Sequence, residues 1–171
     1  MNIFIWANGR TGSNNNLIVD TLVSEHNKKG DTIFTLNAES ASFDEASIKN
    51  YQDELKKADF VYFTYPVHWG SYPNMFKKTV DSILTYGYAY EYTAEGMPVA
   101  LLTGKKAKII TTAGHPNEYY VEQLKAIHYL AEKTILGFTG IESIGAINFG
   151  GRTRDKVEGF PVDELVSFIN K

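Results

Sequence analysis

The sequence predicts a doubly wound α/β fold in which five parallel strands carry helices on both faces. Apolar runs of strand length recur five times along the 171 residues, each bounded by Gly, Pro, Asn or Asp. Between them lie segments whose apolar residues recur at helical spacing. The third run, Val61-Tyr62-Phe63-Thr64-Tyr65, is nearly continuously apolar. That is the mark of a strand covered on both faces by crossover helices rather than half exposed.

The elements follow in order. Asn2–Trp6 reads as the first strand, because it breaks at Asn8-Gly9 and has neither the basic leader nor the small-residue cleavage site of a signal peptide. Asn14 to Asn16 offer side chains that cap a first helix, in which Leu17, Ile18, Thr21, Leu22 and Glu25 recur at helical spacing. Thr32–Asn37 is the second strand and Asp59–Tyr65 the third. Pro73 falls in the first turn of the next helix, where a missing N–H is harmless, and Met75, Phe76, Thr79, Val80, Ile83 and Leu84 form its inner face. Lys108–Thr112 and Ile141–Ile147 are the last two strands. Asn148 to Gly159 reads as a mobile polar loop, and Pro161 opens a last helix. No repeat or linker divides the chain, so one domain is expected over residues 1–171.

Composition narrows the chemistry. A net charge of -3 without a basic run argues against nucleic acid as a partner. The absence of Cys removes disulfides, thiolate nucleophiles, Cys-ligated zinc and iron–sulfur clusters, and no metal site is expected. Any redox chemistry has to come from a bound cofactor. No apolar stretch approaches the roughly 20 residues that cross a bilayer, so a cytoplasmic protein without membrane insertion is expected.

Ligands of doubly wound sheets sit beyond the carboxyl ends of the strands. After the first strand, Ala7 to Asn16 lead into a helix and set hydroxyls and amides beside free backbone N–H groups, which suits a phosphate. An ordinary loop with an N-cap is the alternative. The loop is neither a Walker A sequence nor a dinucleotide fingerprint. After the third strand, Tyr65 to Pro73 place aromatics in a loop fixed by two prolines, a rigid wall for a flat ring. Alternatively Trp69 caps the sheet edge as a core aromatic and His68 faces solvent. After the fourth strand, Thr111-Thr112-Ala113-Gly114 combine hydroxyls with small residues that admit a ring edge. His115, beside Gly and Pro, reads as a turn residue.

At the next level of detail, Ala58 to Trp69, followed by Pro73, Lys77, Asp81 and Tyr86-Gly87-Tyr88-Ala89-Tyr90, resembles the pattern AD…FxFPxxW…P…K…YGFAY of a known family. Gly104-Lys105-Lys106-Ala107 and Thr111-Thr112-Ala113-Gly114 resemble its GKKA…TTGG, with Ala113 where Gly is usual. Ser13-Asn14-Asn15 resembles its Ser-Phe-Asn, with Asn8 in place of its usual His. The family is the flavodoxin-like NAD(P)H dehydrogenases (quinone), and the resemblance is to its short FMN-type members, such as the potassium-efflux ancillary reductases.

The resemblance implies a flavodoxin-like sheet of order 2-1-3-4-5. It also implies that Asn8, Thr11, Ser13, Asn14 and Asn15 surround flavin phosphate, while Pro66, Val67, His68, Trp69, Gly70, Thr111, Thr112, Ala113 and Gly114 hold the isoalloxazine. Tyr119 matches the family tyrosine that lies over the flavin near the acceptor, and His128 matches, with shifted spacing, the histidine that partners it as a catalytic pair. Tyr119 reads equally as an aromatic at a helix start, and His128 as a structural or surface residue. The implied activity is a ping-pong two-electron transfer from NAD(P)H through FMN to a quinone-like acceptor, with FAD possible, in a homodimer; the alternate tyrosines Tyr86, Tyr88 and Tyr90 suit an interface there and equally a packed loop. FMN is expected over FAD because the chain ends soon after the fifth strand and helix. An electron-carrier flavodoxin and a flavin-binding regulatory subunit of an ion-efflux system are the alternatives.

Overall fold

The computed structural model describes residues 1–119, 121–153 and 157–171, with the backbone alone at Gln123 and Leu124. Strand β1 (Asn2–Ala7) leads into α1 (Asn14–Lys28), β2 (Thr32–Asn37), a 3-10 turn (Ala38–Ser40), α2 (Glu45–Lys57), β3 (Phe60–Pro66) and α3 (Asn74–Ile83). A short hairpin, β4 (Tyr90–Tyr92) and β5 (Pro98–Ala100), follows. Then come β6 (Lys106–Thr112), a 3-10 turn (Asn117–Tyr119) and α4 (Val121–Tyr129). The chain continues as a π-helical stretch (Leu130–Leu136) into the short α5 (Gly137–Thr139), and closes with β7 (Glu142–Phe149) and α6 (Val162–Asn170).

The main sheet is parallel throughout, in the order β2-β1-β3-β6-β7. With the β4–β5 hairpin set aside, this is the expected 2-1-3-4-5. Side-chain alternation divides the core into two layers. Phe4, Trp6, Phe63, Tyr65 and Ile109 face Leu55 of α2, Phe76 and Val80 of α3, and Ile127 and Leu136 of the α4 segment. Ile3, Ile5, Tyr62 and Ile110 face Ile18 and Leu22 of α1 and Leu165 and Ile169 of α6. Trp6 is buried completely, and its indole Nε1 donates to Thr79 Oγ1 at 2.7 Å. Lys108, also buried in the sheet, donates through Nζ to Phe168 O at 2.7 Å near the end of α6.

Three local expectations are corrected. Ser13, not Asn14 to Asn16, caps α1: its backbone is extended and its Oγ accepts from Asn16 N at 3.2 Å. Asn14 and Asn15 are already helical. Pro73 and Pro161 each occupy the N-cap position rather than the first turn. The Asn148–Gly159 segment is pinned at its start, because Asn148 and Phe149 belong to β7 and the next residues bond to the β6–α4 loop. Arg154, Asp155 and Lys156 lie outside the described residues.

Candidate functional site

The carboxyl ends of β1, β3, β6 and β7 and the turn after β2 surround one cleft of about 410 Å³. That volume lies within the range of small-molecule sites. One end is built by the β1–α1 loop. Asn8 N donates to Thr64 O at 2.8 Å, which fixes the start of the loop on β3. Asn37, at the end of β2, clamps Gly9: its Nδ2 donates to Gly9 O at 2.7 Å and its Oδ1 accepts from Gly9 N at 3.3 Å. A Cβ on Gly9 would sit 3.1 Å from Asn16 N, so glycine lets the loop press against the start of α1. The first-turn N–H groups of α1 have no intrahelical acceptor, and Ser13 Oγ takes that of Asn16 alone. The N–H groups of Asn14 and Asn15 therefore stand at an electropositive helix end.

Two buried acceptors in this end are unpartnered. Asn8 and Asn14 are 2% and 3% exposed, and their Oδ1 atoms accept no hydrogen bond, while their Nδ2 atoms donate to Glu39 Oε1 and Thr153 O, both at 3.0 Å. An unmet buried acceptor is costly and marks a place for a ligand donor. Arg10 and Glu39 also line the cleft and lie 3.7 Å apart. Thr11, exposed, and Ser13, whose hydroxyl caps α1, complete the loop.

The side chain of Asn15 points across the sheet rather than outward. Its Nδ2 donates to Thr112 Oγ1 at 2.8 Å, and its Oδ1 accepts from Thr64 Oγ1 at 3.3 Å. One amide thus ties the start of α1 to both β3 and β6.

The other end is built by the loops after β3 and β6. Pro66, Val67 and His68 line the cleft, facing Thr112, Ala113 and Gly114. Val67 N donates to Thr112 O at 2.7 Å, holding the two loops together. His68 and Ser71 exchange both backbone hydrogen bonds, 3.0 and 2.9 Å, around a tight turn in which Trp69 (φ 51) and Gly70 (φ 71) are both left-handed. Trp69 is the one described non-glycine residue with positive φ, and its side chain is fully exposed at 105%. The core alternative for Trp69 is therefore excluded. A strained backbone that presents a bare indole beside a cleft is the kind of local cost found at binding sites. Among the described hydrogen bonds none engages the N–H of Trp69 or Gly114, whereas those of Val67, His68 and Ala113 are taken by Thr112 O, Ser71 O and Phe149 O.

Adjacent threonines on β6 face opposite layers. Thr112 points to the α1 side and meets Asn15 in the cleft. Thr111 points to α4, where its Oγ1 lies 2.8 Å from Asn148 Oδ1 and 3.1 Å from His128 Nε2. Its hydroxyl is spent inside the protein and does not line the cleft.

His128 is turned to the sheet. Burial pushes its pKa below the ordinary value, partly offset by the carboxylate of Glu132 one turn on. Tyr119, in the 3-10 turn before α4, is 74% exposed and touches neither His128 nor the cleft wall in any described contact. The two residues expected as a pair are thus not brought together. Sequence reasoning also missed Glu39, Arg152 and Thr153, which line the cleft from the ends of β2 and β7. Their one signal was their place after a strand.

A parallel, doubly wound sheet with a polar-to-apolar cleft beyond its strand ends defines the class: an α/β protein with a cleft at the place where such folds bind ligands. The chain belongs to the Flavodoxin_2 family, described as having a flavodoxin-like fold, whose pattern it matches over residues 2–161.

Among its relatives, an FMN-dependent NADH:quinone oxidoreductase of Hydrogenovibrio crunogenus is 33% identical over 109 residues, 63% of this chain and 52% of that protein. One of Bacillus pumilus is 34% identical over 138 residues, 77% of this chain and 62% of that protein. The chain spans about half the length of the curated relatives it matches. In fold it resembles the NAD(P)H:quinone oxidoreductase of Methanothermobacter marburgensis, with a TM-score of 0.74 and 17% identity, covering 98% of this chain and 93% of that one. It equally resembles an FMN-dependent NADH-azoreductase from Bacillus anthracis str. Ames Ancestor in complex with FMN, with a TM-score of 0.74 and 17% identity, covering 99% and 98%. Among the described residues no helix is long and apolar enough to cross a membrane.

Proposed function

We propose that this chain is an FMN-dependent NAD(P)H oxidoreductase that reduces a quinone or a similar flat acceptor. The observation that carries the reading is the polarity of the 410 Å³ cleft, with helix N–H groups and Arg10 at one end and a wall of Pro66, Val67, Ala113 and Gly114 at the other. The donor set fits the group. Asn14 N–H, Asn15 N–H and Arg10 would hold the phosphate, the orphaned Oδ1 atoms of Asn8 and Asn14 would accept from sugar-alcohol hydroxyls, and the bare face of Gly114 leaves room for a ring edge. The names of the relatives, FMN-dependent NADH:quinone oxidoreductases, support FMN and a quinone.

Bound there, flavin supplies two-electron chemistry, taken from a nicotinamide nucleotide and passed to the acceptor. The protein's part is orientation and charge. The N–H groups of Trp69 and Gly114 would stabilise negative charge at the ring end of the cleft. Trp69 would screen that end from water, and Tyr119, exposed on its turn, would donate a proton to acceptor oxygen from its hydroxyl. Thr112, held by Asn15, orients the floor between the two ends.

A homodimer is part of the same proposal. Tyr88 is spent internally, its hydroxyl donating to Gln52 O at 2.7 Å. Tyr86 and Tyr92 stack on each other at 6.3 Å, exposed at 64% and 49%, as a face for a second copy.

The test is reconstitution with FMN, followed by absorbance, mass identification of the extracted cofactor, and steady-state oxidation of NADH and NADPH with a quinone. A yellow protein showing parallel-line, ping-pong kinetics is the expected result. A colourless protein after reconstitution overturns the reading, and flavin reduced only through a separate reductase turns it into a carrier.

A further inference from the structure

We infer that Asn148 is a positioning residue for the acceptor side of the site, acting through a one-way hydrogen-bond chain that ends at the turn presenting Tyr119. The role assigned to Tyr119 rests on the proposed function; the chain itself does not.

The direction of the chain follows from one group that can only accept. Asn148 O, a backbone carbonyl, lies 3.0 Å from the Asn117 side chain, which must therefore present Nδ2 to it. Asn117 Oδ1 then faces the Asn148 side chain at 2.7 Å and requires Nδ2 there. That turns Asn148 Oδ1 to Thr111, its register partner on β6, which must donate its one hydroxyl proton across 2.8 Å. With that proton spent, Thr111 Oγ1 accepts from His128 Nε2 at 3.1 Å, so the ring carries its proton on Nε2. His128 is thereby the half-buried anchor of the chain, and Asn148 is its pivot.

The far end of the chain is held just as closely. Gly151 N donates to His115 O and Arg152 N to Ala113 O, both at 2.8 Å, laying the start of the β7–α6 loop along the β6–α4 loop. A Cβ on Gly150 would lie 2.4 Å from Asn117 Oδ1 and 2.6 Å from Asn117 N, so only glycine permits this approach. The turn itself is one 3-10 unit closed by Tyr119 N donating to Pro116 O at 3.1 Å. The Tyr119 ring is exposed, so its place is set by the backbone of the turn, and the turn by Asn117. Asn148 is buried and does not line the cleft, so it acts through Asn117 and not by touching a ligand.

Two variants break the apposition from opposite sides: Asn148→Ala removes the pivot, and Gly150→Ala drives in a wedge. Hydrogen exchange at the Tyr119 amide, read without cofactor, is expected to speed up by about tenfold or more in both. With FMN and a quinone, Asn148→Ala is expected to lower turnover by about tenfold while FMN affinity stays within about threefold, because a turn is displaced and the flavin contacts are not. In a Tyr119→Phe background Asn148→Ala is expected to cost nothing further, a non-additivity that a general loss of stability would not produce. Should Asn148→Ala not fold, Asn117→Ala removes both bonds between the turn and Asn148 from the exposed side. Unchanged exchange at Tyr119, or fully additive losses in the double variant, overturns the proposal. If the unaltered protein takes up no flavin, the proposed function falls, and the exchange measurement alone decides whether Asn148 sets the turn.

Discussion

His128 shows what burial does to a single side chain. Its ring is held neutral because desolvation outweighs the attraction of Glu132. With a folded-state pKa below the ordinary 6.5, the unfolded chain binds more protons between the two values. Stability is then full above about pH 6.5 and is lost as pH falls through the folded-state value. His128→Gln, whose amide still donates to Thr111, is expected to flatten that acid limb in urea titrations from pH 7 to 5. An unchanged slope would show that His128 is not its source. Trp69 makes the opposite case, with its cost in the backbone. Trp69→Gly relieves a left-handed φ and removes no packing, so stability is expected to rise by up to about 1 kcal/mol while FMN binding weakens. Chemical denaturation and ultrafiltration would read the two effects separately. The sequence carried the pair Thr111-Thr112 as one ligand-facing unit. Alternation along a strand already requires one of the two to turn away, but which face held the cleft depended on packing that only the fold supplies.

The strands were the most legible elements, because a buried parallel strand is written in contiguous apolar residues and its length needs no partner to be read. Their ends moved by one or two residues, as at Lys106 and Asn148, where charged or polar residues continue the ladder. The β4–β5 hairpin left little trace: Tyr90–Tyr92 and Pro98–Ala100 are three residues each, too short for an alternation signal. The π-helical stretch Leu130–Leu136 had none, since its wider turn follows from how the α4 segment settles on the sheet. That segment ends at Gly140 with φ 88, where a Cβ would lie 2.8 Å from Thr103 Cγ2 and 2.9 Å from Ala100 Cβ. Gly140→Ala is expected to lower unfolding free energy by about 1–3 kcal/mol, read by urea denaturation, through backbone strain and a clash with the β5 hairpin. A neutral result would mean that the hairpin is free to move off α5.

Across the whole molecule, the site is a meeting of segments that are distant in sequence. The β1 and β3 loops carry recognisable motifs and are legible in the sequence. Glu39, Arg152 and Thr153 join them only because β2 and β7 end at the same level of the sheet, which no local pattern records. A ligand bridging these segments binds the folded chain alone, so stability should rise with its concentration. Free FMN at about 100 times its dissociation constant is expected to add about 2.7 kcal/mol, seen as a rising thermal midpoint. A midpoint indifferent to FMN would count against the cleft as its site.

The placement of the two tryptophans gives the molecule a built-in pair of optical reporters. Trp6 lies in the core with its indole N–H bonded to Thr79, and Trp69 stands in solvent on the turn after β3, next to the cleft residue His68. Emission from the first should be blue-shifted and shielded from iodide, and emission from the second red-shifted and quenched by it. Unfolding and occupancy of the cleft can therefore be followed in one cuvette without a label, each at its own wavelength.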